Sequence, residues 1–310
     1  MKKVILILCL ALLVGGFLFA RGAQESSSRE IAYFMPHLDN EWANDQDAAL
    51  RREITAAGYT PVQYVANRDV SRQINQVEQA VSRRVAGMLL NSIDGEALIR
   101  PISAAQSAGI PVVNVHEGVN SEVPFAQIRP DFVEGGRLKM AEAIKDMPNG
   151  GNIAFLYGPQ GHPAHINISS GYPIALRGVE GRFPVVFEGH GNWAEDSGLN
   201  VVGSWLASGV RIDAIISDND GMAMGVIRAI EAAGRTGQIL LYGLDGTQRS
   251  FAAIRDGNMT ATIATPVNDV ARMGMEQLLN AINGRPKQGN GIIMLPMPIV
   301  NRSNVQQWIK

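Results

Sequence analysis

AIISDNDGMAMGVIRAIEAAGRTGQILLYGLDGT, residues 214–247, is the stretch that decides the fold. An apolar run at 214–216 ends in a polar turn that contains Asn219, and a helical pattern of apolar residues follows it. A second apolar run, at 239–242, ends in a turn that contains Asp245. This order predicts a strand, a helix and a second strand, with an amide or a carboxylate directly beyond each strand. In an open parallel sheet, ligands bind beside these carboxyl ends.

Short apolar runs alternate with amphipathic helical patterns along the rest of the chain. The runs predict strands at 31–35, 61–65, 87–90, 111–115, 126–128, 153–157, 184–188, 214–216, 239–242 and 260–264. The helical patterns predict helices at 42–57, 71–84, 96–108, 132–145, 171–179, 196–207, 222–233, 267–283 and 304–310, with Ser71 as the cap of the second. The apolar tail at 292–300 contains Pro296 and Pro298 and predicts an edge strand or a crossing segment. The alternation predicts the α/β class, with parallel sheets covered by helices.

Two halves of the chain repeat the same order of motifs. In each half, a strand with a polar end is followed by a helix that lies between two glycines, and then by a second strand with a polar end. The interval from Gly95 to Gly109 is 14 positions, and that from Gly221 to Gly234 is 13 positions. The repeat predicts two similar, doubly wound parallel-sheet lobes whose polar strand ends face one cleft.

The amino terminus has the pattern of a secretory signal peptide, which we assign to residues 1–20. Two lysines precede an apolar segment at 4–19, and a polar, serine-rich run follows it. An uncleaved anchor is the less favoured alternative, because the segment is short for a membrane span of about 20 residues. Cleavage is expected after Ala20, with Ala23 as the next candidate. Cys9, the only cysteine, lies inside the segment, which disfavours lipid attachment and leaves the mature chain without a thiol.

The 310 residues are 46% hydrophobic and 18% charged, as expected for a folded protein of two average domains. Lys and Arg number 27 against 29 Asp and Glu, and removal of the two signal-peptide lysines leaves a net charge near −4. Nucleic acid is therefore not expected as a partner, because there is no basic excess. An acidic, thiol-free, exported chain indicates a periplasmic location, where nucleotide cofactors are not supplied. No cofactor is expected.

Polar and aromatic side chains lie just beyond the predicted strand ends. Asn40 offers a donor and an acceptor in one plane, and Trp42 offers a flat apolar face with one N–H donor. These groups suit a sugar ring, which has hydroxyl groups on its edges and C–H groups on its faces. The alternative is that Asn40 caps a helix and Trp42 packs in the core. The candidate ligand-binding residues are Asn40, Trp42, Asn91, His116, Glu117, Trp193, Asn219 and Asp245.

Three motifs together resemble the ribose-binding branch of the type I periplasmic sugar-binding proteins. They are the runs SDNDGMAMG at 217–225, YGLDGT at 242–247 and TATIA at 260–264. The resemblance covers essentially the whole chain from residue 31. It implies a solute-binding protein that delivers a small carbohydrate or polyol to the permease of an ABC importer. It also implies the type I fold, in which two lobes are joined by a three-segment hinge and close on the ligand.

The resemblance implies a division of the chain into two discontinuous lobes. The N-terminal lobe is expected to comprise residues 29–130 and 266–294, and the C-terminal lobe residues 131–265 and 295–310. The hinge crossings are expected near 129–131, 265–267 and 295–297. The implied partners are a small-molecule carbohydrate or polyol and a membrane permease, with a chemoreceptor as an alternative partner. A monomer is expected.

Four positions depart from the ribose-binding pattern. His116-Glu117 replaces an Asp-Arg pair, Ser170 replaces an arginine, and Thr265 replaces a glutamine. Two guanidinium groups that would bind sugar hydroxyls in a bidentate manner are therefore missing. Ribose itself is not favoured, and a nucleoside or an amino-bearing sugar stays open beside other carbohydrates and polyols.

Other kinds of site have weaker support. His162 and His165 have a spacing found in metal sites, but Pro163 is expected to interrupt the helix between them, and no metal is expected. The sequence contains neither a G-x-S-x-G nucleophile motif nor a G-x-G-x-x-G fingerprint. No catalytic residues are assigned, because an exported sugar-active enzyme would need a carboxylate pair that the sequence does not locate. The export signal and the missing DNA-binding domain exclude a sugar-sensing transcription regulator.

Overall fold

The computed structural model of the protein describes residues 29–309. The predicted signal peptide at residues 1–20, including Cys9, lies outside the described residues, as does residue 310 at the end of the chain. Within the described part of the chain, no helix has the length and hydropathy needed to cross a membrane.

Twelve strands of the described chain form two six-stranded sheets. The first sheet contains β1 (Glu30–Met35), β2 (Thr60–Val65), β3 (Gly87–Leu90), β4 (Val112–Val115), β5 (Ala126–Pro130) and β11 (Ile292–Leu295). The second contains β6 (Ile153–Tyr157), β7 (Val185–His190), β8 (Ala214–Ser217), β9 (Leu240–Asp245), β10 (Ala261–Ala264) and β12 (Ile299–Asn301). The strand orders are β11-β5-β4-β3-β1-β2 and β12-β10-β9-β8-β6-β7. All neighbours are parallel except β12, which runs antiparallel to β10.

Nine α-helices of residues 29–309 cover the two sheets. They are α1 (Glu41–Ala56), α2 (Val70–Ser82), α3 (Ile99–Ser107), α4 (Phe132–Asp146), α5 (Pro163–Leu176), α6 (Glu195–Ala207), α7 (Asp220–Ala232), α8 (Gln248–Asp256) and α9 (Val267–Ile282). Short 3₁₀ helices occur at Glu180–Arg182 and at Val305–Gln307, where a longer terminal helix was expected. Helices α1, α2, α3 and α9 pack on the first sheet to form the first lobe, and α4 to α8 pack on the second sheet to form the second lobe. The predicted fold class is confirmed.

The chain passes between the lobes three times. It leaves the first lobe between β5 and α4, returns between β10 and α9, and crosses again between β11 and β12. The predicted extended tail therefore supplies an edge strand to each sheet. Pro296 and Pro298 lie between these two strands, so neither removes a donor from a strand ladder.

Helices cover both faces of each sheet, so the central strands are apolar along most of their length. In β1, Ile31, Tyr33 and Met35 enter one buried cluster, whereas Ala32 and Phe34 enter the cluster on the opposite face. The second sheet is likewise enclosed between two clusters. Because strands β3, β4, β8 and β10 are buried at every position, most polar side chains are confined to the loops at the strand ends.

Local capping explains why two predicted helix starts are wrong. Asp69, not Ser71, caps α2, because its carboxylate accepts the N–H of Arg72 at 2.9 Å. Helix α3 begins at Ile99 and not at residue 96. The carboxylate of Asp94 accepts the N–H groups two and three residues later, at 2.8 and 2.7 Å, and this closes a turn before the helix.

Two further helices of the second lobe differ from the prediction. Helix α5 begins at Pro163, eight residues before the predicted start at 171, because proline at the first helical position needs no partner for an N–H. Helix α8, which has nine residues, was not predicted. Its cap is Thr247, whose hydroxyl accepts the N–H of Ser250 at 3.2 Å.

Close helix packing in the second lobe depends on two glycines inside helices. A Cβ on Gly225 of α7 would lie 2.0 Å from the carbonyl oxygen of Glu195 in α6. A Cβ on Gly136 of α4 would lie 2.0 Å from the carbonyl oxygen of Ile168 in α5. The obstructing atoms are backbone atoms of packed helices, which cannot move aside as a flexible side chain can.

We expect Gly225→Ala to lower the free energy of unfolding by about 1–3 kcal/mol, because the new methyl group overlaps the backbone of α6. Gly203→Ala is the matched control, since Gly203 lies in α6 with no atom of another element within 4 Å of the added Cβ. Helix propensity alone should make the control more stable by about 1 kcal/mol. Urea unfolding followed by circular dichroism measures both. Equal stability of the two variants would contradict the packing argument.

Candidate functional site

A cavity of about 530 Å³ lies between the two lobes, at the carboxyl ends of the strands. This volume lies within the range of pockets that hold small molecules. Loops after β1 to β4 form the wall of the first lobe, and the ends of β6 to β9 with their loops and the first turns of α4 and α5 form the wall of the second. All eight predicted ligand-binding residues line the cavity: Asn40, Trp42, Asn91, His116, Glu117, Trp193, Asn219 and Asp245.

Asn40 and Trp42 lie at the start of α1. Oδ1 of Asn40 accepts the N–H of Ala43 at 2.9 Å, so this side chain caps the helix as well as lining the cavity. Trp42 packs its ring against His116, with the ring centroids 4.3 Å apart. The buried indole N–H of Trp42 has no hydrogen-bond partner in residues 29–309 and can donate to a ligand.

His116 lies between two aromatic rings at the end of β4. In addition to Trp42, Phe132 contacts it edge-on, with centroids 5.2 Å apart. Burial, with smaller contributions from His162 and Arg129, lowers the pKa of His116 to about 3, so its ring is neutral at pH 7. Neither ring nitrogen has a hydrogen-bond partner within the described chain. The backbone φ of 70° is uncommon for a residue with a side chain, and such conformations cluster at functional sites.

Glu117 follows in the same turn and is 8% exposed. Burial raises the pKa of its carboxyl group to about 7, and the positive charge of Arg129 opposes this rise. Among residues 29–309, Oε1 of Glu117 has no hydrogen-bond partner. Nδ1 of His116 lies 3.9 Å from this oxygen, which is too far for a hydrogen bond. The pair therefore presents open polar atoms to the cavity.

Asn91 is fully buried at the end of β3. Its Oδ1 accepts the N–H of Glu117 at 3.3 Å, and its Nδ2 donates to Oε1 of Gln46 at 2.8 Å. Gln73 donates to the Asn91 carbonyl at 2.8 Å and holds the same turn from the other side. Asn91 lines the cavity as predicted, but its amide also serves to position Glu117.

Asn219 and Asp245 form the corresponding wall of the second lobe. Oδ1 of Asn219 accepts the N–H of Met222 at 2.9 Å and so caps α7, and its amide acts to lower the pKa of Asp245. Burial and the neighbouring Asp220 raise the pKa of Asp245 well above its usual value, and Lys139 acts in the opposite direction. Asp245 has a φ of 140°, which side chains rarely adopt, at the point where β9 meets the cavity.

Asp218 lines the cavity, but its carboxylate already has hydrogen-bond partners within the protein. It accepts the N–H of Gly158 at 3.0 Å and the hydroxyl of Tyr172 at 2.5 Å, and Nδ1 of His165 lies 2.7 Å from it. Beneath it, the buried Lys139 donates to the carbonyl of residue 217 at 2.5 Å, and burial lowers the Lys139 pKa to about 8. Asp218 therefore holds the second-lobe loops together.

His162 and His165 have separate roles, and the prediction that Pro163 interrupts a helix between them is wrong. Pro163 begins α5, and His162 caps it with Nδ1 while lining the cavity. His165 faces Asp218 instead. In the part of the chain that the structure describes, no three His, Cys, Asp or Glu side chains are placed to hold a metal ion.

Trp193 adds an aromatic face to the second-lobe wall. Its ring contacts His162 edge-on, with centroids 5.5 Å apart, and lies against Gly158. A Cβ at Gly158 would come within 2.2 Å of the Trp193 ring. The glycine is therefore required for the ring to reach this position.

Ser170 does not face the cavity, which corrects the expectation that this position shapes the ligand site. Its side chain is exposed, and its hydroxyl donates to the carbonyl of Asn167 at 2.7 Å. Ile168 lines the cavity instead. Residues two apart on a helix point in nearly opposite directions. Thr265 is buried outside the residues that line the cavity.

Thirteen of the 21 lining residues are not among the eight predicted, and four of these carry large polar or aromatic side chains: His37, Arg68, Phe132 and His162. Phe132 directly follows a predicted hinge crossing, and the other three follow the ends of predicted strands, which is the sequence signal that could have found them. Arg68 is the one Lys or Arg among the lining residues, and its guanidinium is paired with Asp39 at 2.7 and 2.8 Å. The cavity thus offers carboxyl groups, amides and aromatic rings without an unpaired cation, which suits an uncharged, hydroxylated molecule better than an anion.

The lobes also touch at the mouth of the cavity. The carboxylate of Glu41, at the start of α1, accepts the N–H of Gln248, at the start of α8, at 2.7 Å. A carboxylate at a helix amino terminus is electrostatically favourable. A second cavity of about 150 Å³ adjoins this contact and is lined by residues of both lobes. The structure therefore shows the lobes in contact around the main cavity.

Comparison with known proteins shows which family this two-lobed chain resembles. The chain matches the model of the periplasmic binding protein domain over residues 31–286. It is 29% identical over 249 residues to the xylitol-binding protein of Mycolicibacterium smegmatis, covering 79% of this chain and 69% of the relative. It is 26% identical over 297 residues to the ribose import binding protein of Bacillus subtilis, covering 93% of this chain and 96% of the relative.

Two solved structures have a similar fold over at least 90% of this chain. An ABC transporter solute-binding protein from Bacillus halodurans with bound myo-inositol has a TM-score of 0.84 at 26% identity and covers 92% of this chain and 99% of its own. One from Actinobacillus succinogenes with bound D-allose has a TM-score of 0.85 at 22% identity, covers 90% and 99%, and shares the fold. The chain belongs to the periplasmic binding protein family, in the type I branch that contains the ribose-binding proteins.

Proposed function

We propose that this protein is a periplasmic solute-binding protein that captures a small carbohydrate or polyol and delivers it to the permease of an ABC importer. The observation that carries the proposal is the cavity of about 530 Å³, into which both lobes direct amides, carboxyl groups and aromatic rings. The relatives named for ribose and xylitol, and the neighbour with bound myo-inositol, support the ligand class. The eight lining residues that the sequence predicts are the proposed ligand contacts.

Ligand capture proceeds by closure of the two lobes about the three crossings. The proposed lobes are residues 29–130 with 266–294, and residues 131–265 with 295–310. A ligand held by His116 and Glu117 in one lobe reaches Asn219 and Asp245 only when the lobes are closed, so binding shifts the population toward the closed form. The permease then recognises the closed surface. A chemoreceptor is a second proposed partner, and the protein acts as a monomer.

Two alternatives use the same cavity. A nucleoside would place its base against the rings of Trp42 and Trp193 and its ribose among the polar groups. An exported sugar-active enzyme would turn its ligand over, whereas we propose binding without chemical change. Incubation with each ligand that binds, followed by chromatography, distinguishes an enzyme from a receptor, because any turnover contradicts the receptor.

A thermal-shift screen over pentoses, hexoses, polyols and nucleosides tests the proposal directly. A ligand that binds only the native state raises the melting temperature, and the rise grows with ligand concentration above Kd. We expect uncharged sugars or polyols to raise it and sugar phosphates or uronates to leave it unchanged. A screen in which only anions bind, or in which nothing binds, would overturn the proposed function.

We expect Asn219→Ala and Asp245→Ala to abolish the ligand-induced shift, because each should weaken binding by about 10- to 100-fold through the loss of hydrogen bonds to the ligand. Circular dichroism should show that the fold is intact. Asp69→Ala is the matched control, since Asp69 caps α2 as Asn219 caps α7 but lies outside the cavity. The control should lose about 1 kcal/mol of stability and keep its affinity. Unchanged affinity in both cavity variants would remove the proposed site.

We expect Glu41→Ala to weaken ligand binding roughly fivefold, because it removes the interlobe bond to Gln248, worth about 1 kcal/mol, from the closed form only. Asp45→Ala removes a carboxylate from the same helix away from this contact and serves as the control. Calorimetry measures the affinity, and small-angle X-ray scattering of the unliganded variants measures lobe opening. An affinity equal to that of the control would show that the contact does not contribute to closure.

A further inference from the structure

Two tight turns, one in each lobe, have the same unusual backbone. One follows β2 and contains Asn67 and Arg68, and the other follows β7 and contains Asn192 and Trp193. The φ angles are 53° and 63° in the first turn and 53° and 64° in the second. In each turn the carbonyl of the residue before the asparagine accepts the N–H three residues later, at 3.1 and 3.0 Å. Both turns therefore have the features of a type I′ turn, whose two central residues have positive φ.

The second central position of each turn carries a large side chain where glycine is favoured. Asparagine followed by glycine is a preferred pair in a type I′ turn, because glycine adopts positive φ without a steric cost. Asn67 and Asn192 follow this preference, but Arg68 and Trp193 stand in place of the glycine. Residues with a side chain adopt this conformation at a cost in stability, and such residues cluster at functional sites. The same costly choice in both lobes indicates that the two side chains are needed where the turns place them.

The strand order puts both turns on the side of the cleft away from the hinge. The crossings adjoin β5 and β11 in the first sheet and β10 and β12 in the second. Strands β2 and β7 form the opposite edges, four strand positions from β5 and β10, or roughly 19 Å. Displacement in a hinge rotation grows with distance from the axis, so these two turns travel farthest when the lobes close.

The side chains of Arg68 and Trp193 reach the same place from opposite lobes. Each lines both the main cavity and the second cavity, so each lies at the boundary between the two. The ring of Trp193 contacts that of His162. Burial, with a further contribution from the charge of Arg68, lowers the pKa of His162 to about 4. The guanidinium of the first lobe therefore lies close to the aromatic groups of the second.

Each side chain is held at this boundary by its own lobe. The guanidinium of Arg68 bonds both carboxylate oxygens of Asp39, at 2.7 and 2.8 Å, and the ring of Trp193 lies against Gly158. The ion pair is exposed, with 44% of the Arg68 side chain and 60% of the Asp39 side chain accessible, and exposed pairs contribute little to stability. Its main effect is to hold the Arg68 side chain in one direction.

Given the proposed function, we propose that Arg68 and Trp193 form a front gate that closes the main cavity behind the ligand, and that Arg68 sets how long the ligand is retained. The gate forms only when the lobes meet, so it stabilises the closed form and slows ligand release. Because the turns fix both side chains before closure, little side-chain freedom is lost when the gate forms. The ligand enters the open form, in which the two turns are apart, so the gate does not slow association.

Stopped-flow mixing followed by tryptophan fluorescence measures the two rates. The probe is whichever of ribose, xylitol and myo-inositol gives the largest thermal shift. Arg68→Gly removes the side chain and supplies the glycine that the turn favours. We expect the ligand dissociation rate to rise about tenfold with little change in the association rate. The melting temperature of the unliganded variant should equal or exceed that of the wild type. A lower melting temperature with an unchanged dissociation rate would show a merely structural role and overturn the gate.

Asn67→Gly is the matched control. It places a glycine at the other positive-φ position of the same turn, but Asn67 lines neither cavity, so the dissociation rate should stay at the wild-type value. Asp39→Ala removes the group that holds Arg68 in place. This change should raise the dissociation rate of the wild-type protein but add nothing in Arg68→Gly, because both changes act through the same side chain.

Monodeoxy analogues of the probe separate a gate from a hydrogen bond to the ligand. A gate acts on the lobes, so Arg68→Gly should raise the dissociation rate of every analogue by the same factor. An analogue whose dissociation rate does not respond to Arg68→Gly would show that Arg68 binds the missing hydroxyl directly, which overturns the gate and leaves the proposed function standing. Failure of all three probes and of the wider sugar screen overturns both.

Discussion

Burial of the central strands on both faces is the constraint on which the rest of the structure depends. Strands such as β3, β4 and β8 lie between two layers of helices and are buried at every position, so few polar side chains can lie along them. Because the strands are parallel, their carboxyl ends reach one edge of each sheet, and the polar residues that follow them gather there. Two such edges facing each other enclose one cavity with a polar wall on either side.

The two walls differ in how their polar groups are satisfied. In the second lobe, protein donors already occupy Asp218, and Asp220 accepts the N–H groups of residues 246 and 247 and the hydroxyl of Thr262. In the first lobe, polar atoms of His116 and Glu117 have no partner within the described chain. A wall whose polar groups are hydrogen-bonded within the protein keeps its geometry without a ligand. A wall whose polar groups lack protein partners can form those hydrogen bonds only with a ligand. In the proposed function, the second wall would therefore act as a rigid platform, and the first would carry the larger energetic preference among ligands.

The sequence predicts the fold and the lining positions well because both follow from local periodicity and strand direction. Strands 87–90 and 153–157 have their predicted bounds, and all eight candidate residues line the cavity. What could not be predicted depends on contacts between distant residues. Asn91 meets Gln46 across 45 positions, and Asp218 meets Tyr172 across 46, so the sequence does not reveal which amide or carboxylate is already occupied. Helix α5 likewise turns Ile168, and not Ser170, toward the cavity. The sequence did not predict this because it did not predict that the helix begins at Pro163.

His116 connects the ligand site to lobe closure. Its ring contacts Trp42 of the first lobe and Phe132, the first residue of α4 in the second lobe, directly beyond a crossing. In the proposed closure, rotation about that crossing would move Phe132 relative to the imidazole and change the depth to which His116 is buried. Closure would then remove water from the ring nitrogens that lack partners, and an unpaired polar atom would cost more in the closed form than in an open one. A ligand that satisfies His116 would remove this cost and so favour the closed form.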